Sequence, residues 1–144
     1  MTQARTDAGE PKAPGAARAR PLSPHLMHWR WHVTMAASIA TRATGVALYV
    51  GAALVAVWAL CLAGGEGAYA DFLVVMGSGF GKLVLFGITV SLFYHLAAGV
   101  RHLVWDTGHG FQPQTANMTA VAAFAFGIAA AVGVWAVAFA TGAA

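Results

Sequence analysis

Three stretches of this chain run without Asp, Glu, Lys or Arg for long enough to dictate what it folds into: Ala43 to Gly65, Leu83 to Val100, and everything after Asp106. About 20 apolar residues cross the hydrocarbon core of a bilayer, where each backbone amide must find its partner inside the segment, and an α-helix does this. The expected architecture is therefore an all-α membrane protein with three transmembrane helices, at about residues 34–63, 81–105 and 115–140. Gly64-Gly65-Glu66-Gly67 ends the first span, and residues Gly64 to Gly79 read as an outside loop. Asp106 to Pro113 reads as a short polar turn. Composition agrees, with 9% charged residues where soluble domains carry about 25%.

Charge then orients the chain. Six of the eight basic residues precede Ala43, a positive flank that predicts a cytoplasmic N-terminus and, with three spans, the C-terminus on the other side. The same pattern argues against nucleic acid as a partner, because the basic residues form no stripe along a folded face. Residues 1–24, rich in Ala, Gly, Pro and Arg, are expected to be a disordered cytoplasmic tail, and no removable signal is read in them. Residues 25–144 are then the three-helix anchor, entered through the aromatic and basic stretch Trp29-Arg30-Trp31-His32. The single cysteine, Cys61, rules out an internal disulfide and a cysteine-ligated cluster. Many alanines and glycines in the spans provide small-residue surface suited to partner helices.

Two sets of residues carry chemistry. On a helix, His95, Gly99 and His102 fall at i, i+4 and i+7 and share a face, which Asp106 continues toward water. Two imidazoles about 10 Å apart along the axis, with glycine between them, suit a flat cofactor held edge-on. The alternative is a structural histidine bonded to another helix, with Gly99 allowing close approach. An ionisable group at membrane depth needs a partner in either case. The second set, Trp31, Met35, Ser38, Ile39 and Arg42, follows i, i+4, i+7, i+8 and i+11, one stripe at the start of the first helix. Its aromatic, thioether, hydroxyl and guanidinium groups suit an amphipathic headgroup bearing carbonyl oxygens, such as a quinone ring. The alternative is that Arg42 snorkels to lipid phosphate and Ser38 bonds back to its own helix.

Three stretches, Ser23-Pro24-His25-Leu26, Ser38-Ile39-Ala40-Thr41-Arg42-Ala43-Thr44-Gly45 and His95-Leu96-Ala97-Ala98-Gly99-Val100-Arg101-His102, resemble signatures of one family in order and spacing. It is the cytochrome b membrane-anchor C subunit of succinate dehydrogenase, respiratory complex II. The resemblance implies a subunit that passes electrons from an iron-sulfur subunit to ubiquinone, within an assembly whose flavoprotein subunit oxidises succinate. It implies packing against a second membrane-anchor subunit, with haem b shared between the two. His95 matches the axial ligand of the haem iron. Arg42 matches a residue beside a haem propionate or the quinone, and Ser38, Trp31, Met35 and Ile39 match the quinone pocket. His102 is given a supporting role. The family often carries His where this chain has Thr41, which removes a titratable group there.

A chain of this kind is a non-autonomous subunit: it contributes to the quinone-reduction site and has no catalytic residue for succinate oxidation. The alternatives are the anchor of a fumarate reductase and a non-redox membrane scaffold. A self-contained diheme cytochrome needs four deep histidines, and only His95 is deep. The alanine-rich composition points to a multi-pass protein of a bacterial inner membrane.

Overall fold

The computed structural model describes residues 30–142, and the described residues from Trp31 onward form one compact unit. Four helices follow in order: α1 (Val33–Ala63), α2 (Glu66–Gly77), α3 (Gly79–Asp106) and α4 (Pro113–Ala140). The helices α1, α3 and α4 have 31, 28 and 28 residues, and each is long and apolar enough to cross a membrane. At about 1.5 Å per residue each exceeds the roughly 30 Å of hydrocarbon, leaving a turn or more for the interfaces. These bounds lie within two residues of those expected. The expected tail, and the Ser23–Leu26 signature, lie outside the described residues.

The helix ends follow local chemistry. The His32 ring caps α1, its Nδ1 accepting from the Met35 amide at 3.2 Å. Gly65, at φ 96°, turns the chain between α1 and α2 in a conformation that side chains resist. Ser78 serves two helices: its Oγ donates to the Val75 carbonyl at 2.6 Å and accepts from the Gly81 amide at 3.1 Å. Pro113 opens α4, where a missing N–H costs nothing.

Two expectations need correction. The segment read as an outside loop contains α2, twelve residues long. Its flanking glycines look like breakers, yet Glu66 sits in the first turn, where a carboxylate favours the helix. The second concerns Trp31, placed by sequence on the stripe of the first helix. It precedes the cap His32, so it lies outside α1 and only Met35, Ser38, Ile39 and Arg42 remain on the helical stripe.

Packing is close at a few small residues and open elsewhere. Helix α3 is central, touching α1, α2 and α4. The buried apolar residues are Ala37, Tyr94, Ala98, Ala120, Ala123 and Ala131, five alanines around one tyrosine. Gly127 of α4 lies so near α3 that a Cβ there would come within 2.9 Å of the Tyr94 Cβ and 3.0 Å of its backbone. Tyr94 also faces Phe124, with ring centroids 4.7 Å apart. Most large apolar side chains are exposed, including Val46, Tyr49, Leu60, Leu83, Leu103 and Val137. Without a drive to leave hydrocarbon, such helices meet through small residues and leave their long side chains to lipid or to partner helices.

Candidate functional site

The first turns of α1 and the last turns of α3 enclose a cavity of about 230 Å³ lined by Thr34, Ser38, Thr41, Arg42, Arg101, His102 and Trp105. Three residues singled out from sequence, Ser38, Arg42 and His102, are thus brought together from two helices. Met35, Ile39 and Trp31 are not among its lining residues; Met35 is half-buried, and Ile39 and Trp31 are exposed. A spacing rule places side chains on a face but does not say which part of that face the next helix covers.

Hydrogen bonds hold this arrangement. The Tyr94 hydroxyl, on a ring only 3% exposed, crosses from α3 to donate to the Ala37 carbonyl of α1 at 2.9 Å. Thr41 Oγ1 donates to the same carbonyl at 2.8 Å and sits 3.4 Å from the Tyr94 oxygen. The position where a histidine was the family expectation is therefore filled by a hydroxyl satisfied within α1. His102 Nδ1 lies 2.6 Å from the Ala98 carbonyl, so it carries the proton and donates there. Arg101 Nε donates to Thr119 Oγ1 at 3.1 Å and Nη2 donates to the Ala116 carbonyl at 3.0 Å, both on α4. The guanidinium carbon of Arg101 lies 3.9 Å over the Trp105 ring. The cavity is lined by two guanidiniums and no carboxylate. It suits an anion or a group that gains negative charge.

His95 lies two turns deeper on α3, half-buried against α1. Its Nδ1 is 3.2 Å from Thr44 Oγ1. The Thr44 hydroxyl has one hydrogen, and carbonyls of its own helix claim it: Ala40 at 2.8 Å and Thr41 at 3.1 Å. Its oxygen must accept from His95, which puts the ring proton on Nδ1 and the lone pair on Nε2. An imidazole fixed in this tautomer is ready to bind a metal through Nε2. A Cβ at Gly45 would lie 3.4 Å from His95 Cε1, so glycine there gives the ring its seat. Among the described residues no three His, Cys, Asp or Glu side chains converge on a metal position. A single imidazole with a free Nε2 is a donor that fits one coordination position of a haem iron. Gly99 has open space where a Cβ would stand, so among the described residues it mediates no close helix contact.

Sequence reasoning missed Thr44, Tyr94 and Arg101 as contributors. Thr44 carries no signal beyond falling inside a matched stretch, and Tyr94 none beyond adjoining one, because their partners lie 51 and 57 residues away.

Three membrane-length helices with a polar cavity at one end define a multi-pass membrane protein. Residues 16–134 match the family described as succinate dehydrogenase/fumarate reductase transmembrane subunit, and the chain belongs to that family. It is 39% identical over 113 residues to the succinate dehydrogenase cytochrome b556 subunit of Paracoccus denitrificans, covering 78% of this chain and 87% of that one. Over 100 residues it is 37% identical to the cytochrome b556 subunit of Rickettsia felis, covering 69% and 77% of the two chains. The mitochondrial cytochrome b560 subunit of Sus scrofa is 41% identical over 93 residues, 63% of this chain and 55% of the relative. The bacterial relatives and the three apolar helices place the chain as a multi-pass inner-membrane protein.

Proposed function

We propose that this chain holds one axial position of a haem b and one wall of a quinone-reduction site in a succinate dehydrogenase. The observation that carries the reading is the pairing of His95, with Nε2 free to ligate, and the Ser38–Arg42–His102 cavity at the end of the same helix pair. The chain's relatives, cytochrome b556 and b560 subunits of succinate dehydrogenase, support haem b and the direction from succinate to quinone.

In this reading the Ser38 hydroxyl donates a hydrogen bond to a quinone carbonyl oxygen. Arg42 stabilises the negative charge that builds on that oxygen as electrons arrive, an effect strengthened where water is scarce. A guanidinium acts here through its fixed charge and its N–H donors. Trp31, Met35 and Ile39 supply apolar contact for the ring and tail, and Arg42 or His102 meets a haem propionate. When bound, haem supplies a one-electron carrier whose potential depends on its axial ligands and their hydrogen bonds. Thr44 sets the basicity and orientation of His95 through the Nδ1 bond.

The second anchor subunit supplies the other axial ligand and covers exposed apolar faces of α1 and α3, while the iron-sulfur and flavoprotein subunits dock on the cytoplasmic side. The basic N-terminal segment supports placing the start of α1 on that side.

A reduced-minus-oxidised absorbance spectrum of the purified assembly tests the reading. The intact chain shows a b-type signal, and His95→Ala loses it while the chain still inserts. Unchanged haem content in His95→Ala overturns the ligand assignment.

A further inference from the structure

Besides the redox cavity, Arg101 and Trp105 line a second hollow. Between α3 and α4 lies a groove of about 510 Å³, walled by Leu96, Val100, Val104, Ala122, Ala123 and Phe126, with Arg101 and Trp105 at its upper end. Three of the five guanidinium N–H groups have no acceptor among the described residues: the Nε hydrogen goes to Thr119 and one Nη2 hydrogen to Ala116. No carboxylate bonds to Arg101 among the described residues. Arg101, a residue 9% exposed and held by two bonds and an indole, has no counter-charge among the described residues, and its remaining N–H groups can take an anion.

The groove's length says which. From Trp105 to Leu96 is nine residues, about 13 Å along the helix, close to one leaflet of a roughly 30 Å hydrocarbon core. A partner's transmembrane helix would need a groove through both leaflets. We infer that this groove is a binding site for one anionic phospholipid, its phosphate on Arg101 and an acyl chain along Val100, Ala122 and Phe126. Basic pockets between transmembrane helices near a membrane face are suited to such headgroups.

The test uses the assembled complex in nanodiscs of equimolar phosphatidylglycerol and phosphatidylcholine, with retained lipid counted by native mass spectrometry after transfer to detergent. Intact complex retains phosphatidylglycerol over phosphatidylcholine by about fivefold, the effect of one basic residue at a membrane surface. Arg101→Gln brings that ratio to one. Ala122→Trp fills the groove without touching the guanidinium; it removes both lipids and leaves the haem spectrum unchanged. If Arg101→Gln does not assemble, Ala122→Trp and a photoreactive benzoylphenylalanine in place of Phe126, an aromatic already in the groove wall, decide. A lipid adduct at 126 supports the site. Equal retention of the two lipids by intact complex, unchanged retention in Ala122→Trp, or an adduct to another subunit overturns it.

Discussion

The contact between Gly127 and Tyr94 allows a sharp test of how this chain is built, because a second glycine of the same helix serves as its control. An alanine Cβ at position 127 would meet Tyr94 at 2.9 Å from its Cβ and 3.0 Å from its Cα and N, atoms that cannot swing aside. At Gly133, also in α4, a Cβ meets nothing within 4 Å. Both substitutions bring the same helix-propensity gain, at most about 1 kcal/mol. Gly127→Ala alone adds overpacking, about 1–3 kcal/mol in a close-packed interface. Propensity cancels in the comparison, so Gly127→Ala should be less stable than Gly133→Ala by about 1–3 kcal/mol, or roughly 5- to 150-fold in the unfolding equilibrium. The assay is unfolding of the purified complex in detergent, followed by helical circular dichroism and by haem absorbance. Tyr94 immediately precedes His95, so Gly127→Ala should also disturb the haem band, and Gly133→Ala should not. Equal stability of the two variants would refute the close approach of α4 to α3 at this point.

Two further outcomes probe the redox reading. Thr44→Val keeps shape but strands the His95 Nδ1 proton, and losing the hydrogen bond behind a metal ligand should weaken haem retention by about 10- to 100-fold; Thr44→Ser should restore it, and haem loss from Thr44→Ser equal to that from Thr44→Val would refute the role. Ser38→Ala and Arg42→Ala should each slow quinone reduction about tenfold or more, the worth of one hydrogen bond to a charged group, while succinate oxidation by an artificial dye continues. Equal loss of both activities would show that these residues serve assembly instead.

The sequence reading and the structure agree where a single helix carries the information. The three spans were legible because charge-free length decides membrane crossing, whatever the neighbours do. Ser38, Arg42 and His102 were legible as candidates because helical spacing puts them near one end of two helices. Helix α2 was missed because glycines on both sides look like a loop, although Gly65 only turns the chain and Glu66 starts a helix. Trp31 was placed one cap too far in, since His32 ends the helix from outside.

By itself, then, the sequence determined that this chain crosses a membrane three times, which stretches do so, and which few polar side chains travel with them. These follow from the cost of charge and of unbonded amides in hydrocarbon, and both are local properties. Only the tertiary structure decided that Ser38, Arg42 and His102 share one cavity, that Thr44 sets the His95 tautomer, and that Arg101 is buried between α3 and α4. Those facts depend on where helices cross. The crossing points come from alanines and glycines such as Ala37, Ala98 and Gly127, whose contribution is the space they leave, and a vacancy has no partner until the opposing helix is in place.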